Sequence, residues 1–377
     1  MKTKVLVAIG TRPEAIKMAP VILRLEAHPD FDVRVCVTAQ HREMLDQVLK
    51  VFGLTPHHDL NLMKPGQNLT GVTSGVLEGM TKVLEEEKPD RVLVQGDTTT
   101  TFATALAAFY LKIPVGHVEA GLRTGNVHSP WPEEMNRRLT GQMCDQHYVP
   151  TKWAGENLLR EGYDPATIFE TGNTVIDALF KVVENLQNAS GLAESLEAKF
   201  PFLKNPLRTI LVTGHRRENF GQGMENMLSA LKTLADREDV QVVYPVHPNP
   251  NVREPVQRLL QGHPRIVLIE PQDYIPFVYL MMQSEFIITD SGGVQEEAPS
   301  LGKPVLVTRD TTERPEAVTA GTVRLVGTDP QQILAEATAL LDDPERYNQM
   351  AQAHNPYGDG HATDRIIQHL QEYHGHL

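Results

Sequence analysis

Short apolar runs, each closed by glycine or small polar residues and followed by a stretch of helical periodicity, recur along the whole chain. Runs that are continuous rather than alternating mark strands buried on both faces of a parallel sheet. Residues 5–9 predict the first strand, with Gly10-Thr11-Arg12-Pro13-Glu14 as its turn. A helix over 16–25 follows, because Pro13 suits an early helical position. The pattern then predicts a strand over 32–38, a helix over 44–52 and a helix over 67–84. Within the last, Gly71, Gly75 and Gly79 recur at four-residue spacing and predict close packing of helix on sheet. Further strands are expected over 91–95, 114–119 and 146–149, and further helices after Thr101, over 133–143 and over 153–161. Residues 125–134 carry Pro130-Trp131-Pro132 and predict a loop. A helix ending near residue 186 and a polar link over 187–190 close this half.

A second set of strands is expected over 210–213, 240–246, 266–269, 286–289 and 305–307, with a helix over 330–341 and a last one through residue 371. Strands alternating with helices argue for doubly wound parallel sheets. The repetition is of whole domains, two Rossmann-like halves expected to face each other across a cleft. A chain of 377 residues agrees with about two domains.

Composition narrows the choice. With 41% hydrophobic residues the chain can bury a large core, and no apolar run approaches the length of a membrane span. The apolar run at the start is short and leads into Thr11-Arg12-Pro13-Glu14 rather than a small-residue cleavage site, so it reads as a strand. Two cysteines, Cys36 and Cys144, imply neither a disulfide framework nor a cysteine-based metal site. A net charge of −13 argues against nucleic acid as partner. An anionic small ligand would need local Arg, Lys and His.

The chemistry gathers at predicted strand ends. Asp290-Ser291-Gly292-Gly293 joins a strand to a helix, where Ser291 offers a hydroxyl and the two glycines let backbone N–H groups approach an anion. An acid in the first turn, Glu296 or Glu297, is better placed to accept from ligand hydroxyls, with a ribose as the natural candidate. Arg12 and Lys17 lie in or just after the first turn, at the sheet edge where open α/β folds bind ligands. Asp97, Glu119 and Glu133 are candidate acid or base groups; the competing readings are a helix cap after Gly96 and a pairing with Arg123. His215, beside Arg216 and Arg217, suits phosphate binding or proton donation to a leaving diphosphate. His215 and His247 lack zinc-site spacing, and His369, His374 and His376 read as an exposed tail. No G-x-G-x-x-G follows the first strand and no G-x-x-x-x-G-K-[ST] occurs, so neither NAD nor a P-loop is indicated.

Together these motifs resemble one family. Gly10 to Pro20, Gln95-Gly96-Asp97-Thr98, His117 to Thr124, Pro130 to Glu134, Thr213 to Asn219, Asp290 to Gly293 and Glu313 to Glu316 are similar to the bacterial non-hydrolysing UDP-N-acetylglucosamine 2-epimerases, in order over nearly the whole chain. The resemblance implies an α/β, GT-B-like fold. Its expected first domain is 1–173, joined by a C-terminal helix within 360–377, and its second is 174–359. It implies that Arg12, His215, Gln272, Phe277, Ser291, Gly292, Gly293, Glu297 and Arg314 hold UDP, with Phe277 near uracil and Glu297 on the ribose. Lys17, Asp97, Glu119 and Glu133 would line the sugar site. It implies no cofactor and no metal, a cytoplasmic homodimer without membrane or nucleic-acid partners, and reversible C2 epimerisation through 2-acetamidoglucal for surface polysaccharide synthesis. Which carboxylate serves which sugar face stays open. A second UDP-N-acetylglucosamine as activator is expected at Gln40, His41, Gln67, Arg216 and His247, although Gly66 stands where activator-dependent relatives tend to have arginine. Rival readings are a glycosyltransferase, a hydrolysing epimerase and a nucleotide-sugar sensor.

Overall fold

The computed structural model describes residues 2–38, 42–62 and 66–374. The chain divides into two compact units, residues 1–178 with 357–377, and residues 179–356. In the first, strands β1 (Thr3–Ile9), β2 (Phe31–Val37), β3 (His58–Asp59), β4 (Arg91–Gln95), β5 (Val115–Val118), β6 (Gln146–Val149) and β7 (Ile168–Glu170) form one sheet. Their spatial order is β3-β2-β1-β4-β5-β6-β7, every pair parallel. In the second unit, β8 (Arg208–Thr213), β9 (Val240–Pro245), β10 (Ile266–Ile269), β11 (Phe286–Thr289), β12 (Val305–Val307) and β13 (Val323–Leu325) run in the order β10-β9-β8-β11-β12-β13. Both orders reverse direction beside the first strand of their unit, and such switch points open crevices at the carboxyl ends of the strands.

The core follows the apolar runs. Val5, Leu6, Val7 and Ile9 are fully buried, as are Ile210, Leu211 and Val212 in the second unit. Several expectations needed correction. Gly75 and Gly79 pack their helix, Leu69–Glu87, against Leu62 and Leu60 of the segment after β3, not against a sheet: a Cβ on Gly79 would come within 2.8 Å of Leu60. The polar link expected over 187–190 is largely helical instead: Gln187 and Asn188 finish the helix Thr174–Asn188, and Ser190 opens a further one, Ser190–Lys199. The short strands β3 and β13 were not anticipated, because two or three residues carry too little periodicity to read, and neither was the helix Pro344–Ala351. His369 is no tail residue either. Its Nδ1 lies 3.1 Å from the Tyr148 hydroxyl, and its ring packs on Phe169 with centroids 3.4 Å apart.

The last helix, Ala362–His374, belongs to the first unit. Asp177 accepts from Thr363 N at 2.8 Å at its start, and Arg24 Nε pairs with Asp364 along its side. Near its end the Tyr373 ring lies 4.8 Å from the guanidinium of Arg91. Arg91 is wholly buried at the start of β4 and holds Asp145, just before β6, through bonds of 2.6 and 2.9 Å. A charge so placed depends on that bidentate partner.

A buried carboxyl group joins two turns. Glu14 Oε2 accepts from Gly10 N at 3.1 Å, and its Oε1 accepts from the Thr98 hydroxyl at 2.8 Å. Burial, opposed by these bonds, raises the Glu14 pKa to about 7. The turns after β1 and after β4 are thereby tied through a group that holds its proton below neutrality.

Two outcomes follow. Asp145→Ala leaves Arg91 charged and unpaired, and should cost about 3 kcal/mol in urea denaturation, whereas Tyr373→Phe should cost little. For Glu14 the folded pKa lies above the usual 4.5, so the associated stability is complete below that pH and is lost as pH rises through about 7. Glu14→Gln cannot titrate there. Wild-type stability relative to Glu14→Gln should therefore fall by roughly 3 kcal/mol between pH 4.5 and 7.5; a constant difference would show that Glu14 ionises normally.

Candidate active site

Parallel strands deliver their following loops to one edge of each sheet, and those loops carry the polar side chains. On the first unit Arg12 follows β1, Asp97 follows β4 and Glu119 follows β5. Glu119 has φ +62°, a left-handed conformation that costs a non-glycine residue of the order of 1 kcal/mol or more. Donors surround its carboxylate. Lys17 Nζ lies 2.5 Å from Oε1, Asn173 Nδ2 donates to Oε1 at 3.1 Å, and Gln95 Nε2 donates to Oε2. Lys17 reaches it from the helix Arg12–Glu26, and Asn173 from the turn after β7. Arg123, weighed above as a partner for the acids, instead grips Glu161 through bonds of 2.8 and 2.9 Å.

Asp97 does not cap the following helix. That position belongs to Thr98, whose hydroxyl accepts from Thr101 N at 3.1 Å. The Asp97 carboxylate pairs with Arg137 at 2.6 Å, and its carbonyl accepts from Asn136 Nδ2 at 2.9 Å. Both partners lie on the helix Glu133–Met143. Glu133 opens that helix and is partly exposed, whereas its neighbour Glu134 is wholly buried. Glu134 accepts from Thr124 N at 3.1 Å and Gly125 N at 3.3 Å and pairs with Arg137 and Arg138, so it anchors the proline-rich loop that presents Glu133. Behind the Gly96 turn, buried His117 donates from Nε2 to Gly96 O at 2.7 Å, and burial pushes its pKa down to about 4. It stays neutral and serves as a fixed strut.

On the second unit Asp290 is the organiser. It is fully buried at the end of β11, and its Oδ2 accepts from His215 N at 2.9 Å and Arg216 N at 2.8 Å. His215 stacks on His247, centroids 5.1 Å apart and planes at 12°. Burial lowers the His215 pKa; Asp290 opposes that shift, while His247 and Arg216 add to it. Arg216 also lies 3.7 Å from Glu313.

The helix after β11 begins at Gly292, inside the stretch expected to lead into it, and Ser291 is its N-cap without a side-chain capping bond. The Ser291 hydroxyl is thus not used to close its own helix. Gly292 has a steric reason: a Cβ there would fall 2.4 Å from Arg314 Nη1, so only glycine lets that guanidinium lie over the turn. Arg314 Nε in turn bonds Glu296 at 2.6 Å. Of the two acids in this helix, Glu296 holds Arg314, while Glu297 accepts from the Tyr274 hydroxyl at 2.6 Å. The bare Gly293 lies between Ser291 and Glu297. Gln272 follows β10 and donates to Glu270 O at 2.6 Å; its Oε1 is buried and has no partner among the described residues. Phe277 is partly buried on the helix Tyr274–Gln283.

The structure therefore brings Lys17 onto Glu119, sets Asp97 on the neighbouring turn, and gathers His215 with Arg216 and His247, and Ser291 with Gly292, Gly293, Glu297 and Arg314. Gln67 is partly buried just ahead of the helix Leu69–Glu87, while Gln40 and His41 lie outside the described residues. Sequence reading missed Gln95, Asn173, Arg137 and Tyr274, which touch the acids it named. Only Gln95, adjoining Gly96-Asp97 at the end of an apolar run, carried a local signal. Among the described residues no group of three or more His, Cys, Asp or Glu could hold a metal ion, and no helix is long and apolar enough to cross a membrane.

Comparison with known proteins bears on this arrangement. A family model described as UDP-N-acetylglucosamine 2-epimerase matches residues 23–371. The UDP-N-acetylglucosamine 2-epimerase of Escherichia coli strain K12 is 60% identical over 369 residues, 98% of each chain. A crystal structure of UDP-GlcNAc 2-epimerase from Neisseria meningitidis bound to UDP-GlcNAc matches with a TM-score of 0.92 and 54% identity, covering 98% of this chain and all of that one. The Methanocaldococcus jannaschii enzyme in complex with UDP-GlcNAc and UDP matches with a TM-score of 0.81 at 33% identity, with the same coverage. The two parallel sheets flanked by helices are the GT-B-like architecture of these neighbours. With a match of this length and identity, the chain belongs to the UDP-N-acetylglucosamine 2-epimerase family.

Proposed function

We propose that the chain interconverts UDP-N-acetylglucosamine and UDP-N-acetylmannosamine by eliminating UDP to 2-acetamidoglucal and adding it back. The observation that carries this reading is the Glu119 carboxylate, held by Lys17, Gln95 and Asn173 beside the Asp97 turn. The C2 hydrogen of the sugar has no adjacent carbonyl to acidify it, so direct deprotonation is slow. If the C1–O bond breaks first, its electron pair leaves with the β-phosphate oxygen and positive charge develops at C1. A carboxylate then takes the C2 proton and the C1–C2 double bond forms. Reprotonation from the other face, with return of the diphosphate oxygen to C1, gives the epimer. Acid and base groups are needed on both faces, and Asp97, Glu119 and Glu133 are the candidates.

The diphosphate falls to the second unit. Ser291, the backbone at Gly292 and Gly293, His215 and Arg314 supply hydroxyl, amide and cationic groups suited to developing charge on a leaving diphosphate. Glu297 takes the ribose in this reading, and Phe277 and Gln272 the uracil, whose N3–H suits the buried Gln272 Oε1. On the first unit Arg12 is the candidate nucleotide contact, and Lys17 lines the sugar site with the three acids in this reading. This route calls for no redox cofactor, since elimination and re-addition pass through no oxidised or reduced intermediate. The reading extends to a cytoplasmic homodimer supplying surface polysaccharide synthesis, and to activation by a second UDP-N-acetylglucosamine.

Proton NMR with UDP-N-acetylglucosamine in D2O tests the chemistry. The expected result is a second anomeric signal for the manno epimer, deuterium at C2 and UDP still attached. Free N-acetylmannosamine would indicate hydrolysing chemistry, and an unchanged spectrum despite binding would favour the transferase or sensor. Glu119→Gln should lower kcat by roughly 10²–10⁴-fold while calorimetry shows UDP affinity within a few-fold of wild type. Hyperbolic initial rates without stimulation of the reverse reaction would remove the activator.

A further inference from the structure

The hydrogen bond between Tyr274 and Glu297 lies beside the proposed UDP seat, and neither the motifs nor the mechanism uses Tyr274. Tyr274 opens the helix Tyr274–Gln283 after β10, and Glu297 closes the short helix Gly292–Glu297 after β11. The two strands are not neighbours in the sheet, so the contact bridges separate loops at its edge. The Tyr274 hydroxyl donates to Glu297 Oε1 at 2.6 Å, and burial together with the Glu297 charge raises the phenol pKa well above its usual value. It is therefore a neutral donor across the physiological range. Unlike a lysine, such a donor orients a carboxylate without neutralising it.

The other carboxylate oxygen has a definite setting. A Cβ on Gly293 would lie 3.7 Å from Glu297 Oε2 and 4.0 Å from Ser291 Oγ. The acid and the serine hydroxyl therefore border the same small space above the glycine backbone. Glu297 is 7% exposed, so its rotamer decides what that space can recognise.

We propose that Tyr274 is a positioning residue that fixes Glu297 to accept the ribose hydroxyls, and that this pair makes the site select ribonucleoside over 2′-deoxyribonucleoside diphosphates. The proposal rests on the reading that Glu297 receives the ribose. A ligand lacking one hydroxyl forgoes a hydrogen bond that the oriented carboxylate is set to accept, which is how polar sites discriminate against deoxy analogues. A carboxylate free to rotate loses much of that discrimination, because it turns away to other donors or to water.

Calorimetric titration of the full-length protein with UDP and with 2′-deoxy-UDP tests this, using wild type, Tyr274→Phe and Glu297→Gln. Wild type should prefer UDP by at least tenfold. Tyr274→Phe, which removes one oxygen, should shrink that preference several-fold, mainly by weakening UDP. Glu297→Gln should nearly abolish it. A simple structural tie between two helices would weaken both ligands alike and leave their ratio unchanged. A collapsed ratio in Glu297→Gln with a wild-type ratio in Tyr274→Phe would overturn the role of Tyr274 while leaving the ribose reading intact. Equal affinities in wild type, or an unchanged ratio in Glu297→Gln, would overturn the ribose reading and this proposal with it. Should Tyr274→Phe not fold, Tyr274→Met, which also removes the donor, decides by the same ratio: an unaltered preference overturns the proposal.

Discussion

An ionised carboxylate taken out of water is stable only where donors replace its hydration, and that demand organises both units. In the first, Glu119 meets it with Lys17, Gln95 and Asn173. These residues come from the first helix, the end of β4 and the turn after β7, so the acid gathers half the sheet edge around itself. The left-handed backbone at Glu119 is the local cost, set against those three bonds. In the second unit Asp290 draws in the amides of His215 and Arg216, and so sets the loop that carries the histidine stack.

Seven of the glutamates and aspartates around these turns fall into two kinds. Glu14 and Glu134 are buried and hold loops: one joins the turns after β1 and β4, the other anchors the segment leading to Glu133. Glu296 holds Arg314 over the Gly292 turn. Asp97, Glu119, Glu133 and Glu297 are the acids left for substrate chemistry in the proposed reaction. Five of these seven sit next to another residue whose acid does different work or whose backbone makes the turn, as in Glu133-Glu134, Glu296-Glu297 and Gly96-Asp97. Adjacent helix positions point about 100° apart, so neighbouring acids can face a ligand and a core at once.

Much of this was legible in the chain. The continuous apolar runs announced the parallel sheets, since a strand covered on both faces needs no polar alternation. The strand-to-helix turns, with glycine, arginine or an acid in each, announced where polar side chains gather, because parallel strands put those turns on one edge of each sheet. Elements too short for periodicity, β3 and β13, escaped notice. So did the true setting of Gly79, which packs on Leu60 rather than a sheet, because four-residue spacing shows a smooth helix face and not what covers it.

The sequence by itself determined the alternation of strand and helix, the family and the list of acids and cations at strand ends, since each is written in local pattern or contiguous motif. Only the tertiary structure decided which charges meet. Arg137 goes to Asp97, Arg123 to Glu161, Lys17 to Glu119 across 102 positions, and Tyr274 to Glu297. Such pairings depend on where loops from separate strands come to rest, and that is settled by packing between distant parts of the chain rather than by any spacing along it.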